Sequence, residues 1–167
     1  MKTLILMRHA KSAWDNPAAS DHERQLNKRG REAAPKIGKW LVEQGFAPDQ
    51  IMLSDAARTI ETWERMASYF PEAPSPTYHR DLYLADPSVM AARLSEATGD
   101  TVLMLGHNPG IAELAEALAA TPPNHTRFHD YPSAATTVFR FDIQTWKDLP
   151  RSVHQGQVLA FAIPREL

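Results

Sequence analysis

Two short apolar runs that each end in histidine constrain the fold of this chain more than any other feature. Residues 3–9 read TLILMRH and residues 101–107 read TVLMLGH. A short, continuous apolar run bounded by polar residues is typical of a strand buried on both faces of a parallel sheet. Because ligands bind outside the carboxyl ends of such strands, Arg8, His9 and His107 are predicted to meet in one crevice.

Segments with helical periodicity separate the predicted strands. Asn27 is a good N-cap, and apolar residues then recur at three- and four-residue steps. The predicted helices run over residues 28–43, 57–70 and 87–97, and from Asn108-Pro109 onward. Further strands are predicted at QIMLSD, TTVFRFDI and QVLAFAIP. This alternation predicts one α/β domain over residues 1–167, a three-layer α/β/α fold whose central sheet is mostly parallel, with an antiparallel strand near the C-terminus.

The composition excludes several functional classes. The 167 residues carry a formal net charge of -2, which gives no reason to expect binding to nucleic acid or to an anionic membrane. The chain has no cysteine, so it has no thiolate nucleophile and no Cys-built zinc site, and its histidines lack metal-ligand spacing. No stretch is long enough to span a membrane, and the first apolar run is too short for a secretion signal. We therefore expect a cytoplasmic protein without a metal or cofactor.

The polar residues at the strand ends indicate a site for a phosphoryl group. The segment SDAARTIET places Arg58 in the first turn of the second helix, where the helix dipole favours an anion. Two arginines and two histidines in one crevice suit a compact dianion, with phosphate the first candidate. A neutral imidazole can attack phosphorus while guanidinium groups neutralise the transferring group, so the chemistry requires no metal.

Three motifs resemble those of the histidine phosphatase superfamily, also called the phosphoglycerate mutase-like superfamily. RHAKSAWDN is similar to its opening Arg-His-Gly motif, which implies that His9 is the nucleophile and Arg8 a phosphate ligand. SDAARTIET resembles the second motif and implies that Arg58 is a phosphate ligand. LMLGHNPG resembles the late Gly-His motif and implies that His107 is the second histidine at the phosphoryl group. The chain departs from the commoner family residues at Ala10, Lys11, Asp55 and Glu61.

Within that superfamily, the short length, DHERQLNKRG and GHNPGI resemble the short bacterial phosphohistidine phosphatases of the SixA type. The resemblance implies an open site without a substrate cap, and phosphohistidine on a partner protein as the substrate. It also implies that Arg24 reaches the rim of the site or holds Arg8 in position. The resemblance further implies a proton donor, for which Asp81, in preference to Asp86, is the predicted counterpart. Further candidates for the rim or for supporting positions are Ser12 and Asn108.

The predicted function is a metal-independent phosphatase with a phosphohistidine enzyme intermediate, in which Asp81 or His107 handles protons. Two alternatives stay open: a phosphatase of a small phosphoester or nucleotide, and a non-catalytic module that captures phosphorylated groups. The pairing of His9 with His107 counts against the binding module, since simple anion binding would not require it.

Residues outside these motifs are predicted to be structural. The basic run at residues 28–31 is interpreted as a solvated helix face rather than a docking patch. Trp14, Trp40 and Trp63 are predicted to lie in or near the core.

Overall fold

Six strands form one sheet in the computed structural model, which describes all 167 residues. In chain order they are β1 (Lys2–Arg8), β2 (Gln50–Ser54), β3 (Thr77–His79), β4 (Thr101–Gly106), β5 (Thr136–Phe141) and β6 (Gln157–Ala162). Across the sheet the order is β3-β2-β4-β1-β5-β6. The first four of these are parallel, β5 runs antiparallel to β1, and β6 runs antiparallel to β5. The predicted mostly parallel sheet with an antiparallel C-terminal contribution is confirmed.

Four α-helices accompany the sheet: α1 (Lys28–Glu43), α2 (Ala57–Met66), α3 (Pro87–Ser95) and α4 (Gly110–Leu118). The bounds of α1 are those predicted, and the Asn27 side chain caps it by accepting from the Gly30 N–H. Helix α2 is shorter than predicted because a 3-10 turn replaces its last residues, and α3 ends two residues early. None of the four helices has the length and apolar character that a bilayer crossing requires.

The start of α4 differs from the prediction. The Asn108–Pro109 peptide bond is cis, and the helix begins at Gly110. A side chain at Gly110 would collide with the Ala85 carbonyl oxygen. Close approach of the loop that ends at Ala85 therefore requires glycine as the first helical residue.

Strand β1 shows how the sheet divides the core into two layers. Its side chains alternate, so Leu4 and Leu6 belong to the cluster that includes α3 and α4 residues. Ile5 and Met7 belong to the cluster that includes α1 and α2 residues. All four side chains are fully buried, as expected for a central strand covered on both faces. The three-layer α/β/α architecture is thereby confirmed.

The tryptophans do not all lie where the sequence predicted. Trp63 is buried and Trp40 packs against the core, but Trp14 is 78% exposed, so the prediction was wrong for this residue. After β1 the chain leaves the sheet, and Ser12 forms an isolated bridge with Leu26. Trp14 then lies in an outer loop, where its ring packs against the guanidinium of Arg24 instead of entering the core.

Candidate active site

The ends of β1 and β4 place two histidines side by side. Arg8 and Gly106 are directly paired in the parallel register, so the residues that follow them leave the sheet together. The His9 and His107 ring centroids lie 5.2 Å apart. Both residues are nearly inaccessible, with 6% of His9 and 2% of His107 exposed. The structure therefore brings the two histidines together at the strand ends, as predicted.

The hydrogen bonds of His9 determine its tautomer. Its Nδ1 lies 2.7 Å from the Ala10 carbonyl oxygen, an acceptor, so Nδ1 carries the proton. Its Nε2 accepts from Arg58 Nε at 3.3 Å and therefore presents a lone pair to the site. Burial, with help from the neighbouring Arg58, lowers the pKa of His9 to about 3. His9 is thus a neutral imidazole whose nucleophilic nitrogen, Nε2, is unprotonated.

His107 is oriented by partners on both ring nitrogens. Its Nδ1 faces Arg58 Nη2 at 3.3 Å, and since a guanidinium only donates, Nδ1 is the acceptor. Its Nε2–H then donates to Ser54 Oγ, 2.7 Å away, at the end of β2. Burial, followed by the effects of His9 and Arg58, lowers the pKa of His107 to about 2. A bound dianion would oppose those effects and favour a proton on this ring.

Two arginines provide the positive charge. Arg58 lies in the first turn of α2 and is 2% exposed, with its guanidinium between the two histidines. Arg8 Nη1 donates to the Tyr131 carbonyl oxygen at 3.1 Å, whereas its buried Nε has no partner. Burial and the nearby Arg58 lower the pKa of Arg8, which means that its charge is poorly compensated. An anion bound between these arginines would supply the missing compensation.

Two residues of this site, Asp21 and Tyr83, were not predicted from the sequence. Asp21 accepts from Arg58 through its carbonyl oxygen at 2.7 Å and through Oδ2 at 3.2 Å. Tyr83 donates its hydroxyl to the same Oδ2, and its ring packs edge-on against His107 with centroids 5.5 Å apart. The Tyr83 hydrogen bond and the Arg58 charge lower the pKa of Asp21 to about 2. The ionised Asp21 carboxylate therefore lies against the Arg58 guanidinium.

The rim candidates lie at the site with structural partners. Arg24 Nη1 donates to Ser12 Oγ at 2.6 Å, and Arg24 Nε donates to Asp21 Oδ1 at 3.1 Å. Arg24 thus reaches the rim, and its hydrogen bonds link the loop after β1 to Asp21 rather than to Arg8. Asn108 donates to the carbonyl oxygens of Asp130 and Tyr131, and its own Oδ1 is buried without a partner.

The structure does not bring Asp81 to this site. Its carboxylate forms a forked ion pair with Arg93 of α3, at 2.8 Å to Nη2 and 3.1 Å to Nε. That pairing lowers the pKa of Asp81 and holds the side chain on the surface. A bidentate pair with a neighbouring helix accounts for its position without a ligand.

The cavity in front of the histidines has a volume of about 280 Å³. Its lining is Arg8, His9, Ser12, Trp14, Asp21, Arg24, Arg58, Leu84, His107 and Asn108. Three arginines and one aspartate line it, so three positive charges and one negative charge leave two positive charges. With both histidines neutral, this balance complements a phosphoryl dianion.

Comparison with known proteins also indicates a phosphatase family. The profile of the histidine phosphatase superfamily (branch 1) matches residues 4–82. An uncharacterized protein of Mycobacterium tuberculosis is 37% identical over 117 residues, which span 68% of this chain and 70% of that protein. An uncharacterized chloroplastic protein of Arabidopsis thaliana is 33% identical over 129 residues, covering 71% of this chain but only 59% of the plant protein.

Solved structures show the same fold at lower identity. A Nakamurella multipartitia protein assigned as the phosphohistidine phosphatase SixA has a TM-score of 0.79 and 24% identity, covering 98% of this chain and 96% of its own. The protein histidine phosphatase SixA complexed with tungstate has a TM-score of 0.77 and 22% identity, with 98% of both chains covered. At these identities the likeness establishes the fold.

Proposed function

This chain belongs to the histidine phosphatase superfamily, and on that premise we propose that it removes phosphate from phosphohistidine on a partner protein through a phosphohistidine intermediate on His9. The predicted superfamily, and with it a hydrolase of the phosphatase class, is confirmed. The proposal treats residues 1–167 as a single histidine phosphatase domain. The observation that supports it most directly is the unprotonated His9 Nε2, which faces Arg58 Nε at 3.3 Å inside a cavity of matching charge.

The first step transfers the phosphoryl group to the enzyme. The lone pair of His9 Nε2 attacks phosphorus, the new N–P bond forms, and the bond to the leaving group breaks. Arg8 and Arg58 neutralise the charge on the phosphoryl oxygens, so these side chains supply what magnesium supplies in other phosphotransferases. We therefore propose a reaction without a metal or cofactor.

The second step returns the enzyme to its starting state. Water attacks the phosphorus of phosphorylated His9, the N–P bond breaks, and the electron pair returns to Nε2. Of the two groups expected to handle protons, His107 lies 5.2 Å from His9 by ring centroids, whereas Asp81 is paired with Arg93. We assign proton handling to His107: its Nδ1, which accepts from Arg58 in the free site, takes the proton that the attacking water loses and returns it to the departing phosphate.

The test is phosphate release, in the presence of a chelator, from a phosphohistidine-bearing protein and from a panel of small phosphoesters. The His9→Ala variant should lose at least about a thousandfold in kcat/KM, because the nucleophile is gone. His129→Ala is the matched control, since His129 is a surface histidine with a 60% exposed side chain. Circular dichroism of both variants checks that the fold is retained.

The substrate panel separates the proposal from its alternatives. Better turnover of a small ester than of phosphohistidine would assign the protein to the small-molecule phosphatases. Stable binding of phosphohistidine without release would assign it to the binding modules. Substantial activity in His9→Ala would remove His9 as the nucleophile and refute the mechanism.

A further inference from the structure

Two exposed apolar side chains stand at the mouth of an otherwise polar site. Trp14 is 78% exposed and Leu84 is 53% exposed, and both line the cavity that holds the histidines and arginines. Large apolar side chains that remain in water beside a charged cavity lose the stabilisation that burial would give them. Their placement therefore suggests a contact with the substrate.

Trp14 is held in position although it is exposed. The Arg24 guanidinium carbon lies 3.5 Å from the centroid of the Trp14 ring, a cation–π contact. Arg24 is itself fixed by its hydrogen bonds to Ser12 Oγ, the Ala13 carbonyl oxygen and Asp21 Oδ1. Arg24 thus positions the indole, and Arg24 is held by Asp21, the aspartate that also contacts Arg58. Most of the indole surface stays exposed and free for a ligand.

Leu84 is held in a conformation that a leucine rarely adopts. Its φ of 51° lies in the left-handed region, where a bulky residue is an outlier. The chain on either side is fixed, because Leu82 is buried in the core and the Ala85 carbonyl packs against Gly110. Unfavourable backbone conformations of this kind cluster at ligand sites, where the surrounding structure enforces them.

We propose that Trp14 and Leu84 form an apolar clamp that selects substrates whose leaving group is a flat aromatic ring, as in the imidazole of phosphohistidine. This inference rests on the proposed function and specifies the leaving-group side of the same site. An indole face stacks favourably on a ring and attracts a cationic ring more strongly still. A small alkyl alcohol or ammonia offers no comparable surface.

The clamp suits the chemistry of a ring leaving group. When the imidazole of the substrate carries a proton on its other nitrogen, attack by His9 Nε2 forms the new N–P bond and breaks the old one. The electron pair of the broken bond returns to the substrate ring, which departs as neutral imidazole. This step needs no carboxylic acid beside the leaving group, consistent with the position of Asp81 outside the site.

The test compares two small P–N substrates that differ in the ring, phosphoimidazole and phosphoramidate. In Trp14→Ala the ratio of kcat/KM for phosphoimidazole to that for phosphoramidate should fall about tenfold, and Trp14→Phe should restore most of it. Tyr78→Ala is the matched control, because Tyr78 is an aromatic residue 54% exposed on β3, outside the cavity. The control should leave the ratio unchanged.

A second variant tests the strained side of the clamp. Leu84→Gly relieves the positive φ, so it should raise the unfolding temperature while lowering the same substrate ratio. Equal losses on both substrates in Trp14→Ala, or an unchanged ratio in both variants, would overturn the clamp while leaving the phosphatase intact. Turnover of neither substrate by wild type, or turnover that survives His9→Ala, would overturn the proposed function and the clamp with it.

Discussion

Mild acid should destabilise this protein through the two histidines of its site. Both are buried and neutral, and their pKa values are lowered from 6.5 to about 3 for His9 and about 2 for His107. In the unfolded chain each would titrate near 6.5. Below that pH the unfolded state binds more protons than the folded state, so the free energy of unfolding falls as the pH falls.

The size of the effect follows from these pKa values. Between about pH 7.5 and about pH 5, protonation of one unfolded-state histidine stabilises the unfolded chain by about 2 kcal/mol, and two histidines give about 4 kcal/mol. Because both folded-state pKa values lie well below 5, the folded protein gains almost nothing in return. A loss of about 4 kcal/mol is a large part of the stability of a domain of this size.

Urea denaturation at the two pH values measures the effect. His9→Asn keeps a donor for the Ala10 carbonyl, and His107→Gln keeps a donor for Ser54 Oγ, so both variants should fold. Each should remove about half of the pH-dependent loss, and the double variant should remove most of it. His129→Gln, at a side chain 60% exposed, should leave the loss unchanged. A double variant that loses as much stability in acid as wild type would show that these two histidines are not the source of the acid sensitivity.

Three further predictions concern single side chains. Asp21→Asn removes the carboxylate that accepts from Arg58, so tungstate should bind about tenfold more tightly by calorimetry. The control Asp142→Asn, at an exposed aspartate just after β5 and outside the cavity, should leave the affinity unchanged. Ser54→Ala leaves the buried His107 Nε2–H without its acceptor, so kcat on the best substrate should fall about tenfold, and urea denaturation should show a loss of about 2 kcal/mol in the free energy of unfolding. Tyr131→Phe removes a fully buried hydroxyl that donates to the Leu6 carbonyl at 2.6 Å, so urea denaturation should show a loss of about 1–2 kcal/mol.

Much of the fold could be predicted from the sequence because its signals are local. The apolar runs of β1 and β4 are short and continuous, and the bounds of α1 follow from the Asn27 cap and the apolar stripe. Parallel strands then require that His9 and His107 emerge at one edge, without knowledge of any loop. Arg58 follows the same logic, since it lies in the first turn of α2, which begins shortly after the end of β2.

The loops decided the rest of the site. Asp21 meets Arg58 and Tyr83 across 37 and 62 positions of sequence, and no local pattern indicates such contacts. Tryptophan is a residue type usually found in or near the core, yet the path of the loop after β1 leaves Trp14 at the surface against Arg24. Asp81 lies at a sequence position that suits the predicted proton donor, but its side chain pairs with Arg93 instead.

The layers, the alternation of strands and helices along the chain, and the meeting of His9 with His107 could therefore be predicted, because hydrophobic periodicity and sheet geometry act over short spans and repeat predictably. The contact of Asp21 with Arg58 and the position of Trp14 and Leu84 at the mouth of the cavity could be seen only in the folded chain. Those outcomes depend on where irregular loops return to the sheet edge, and loop paths are set by many weak long-range contacts rather than by one local preference.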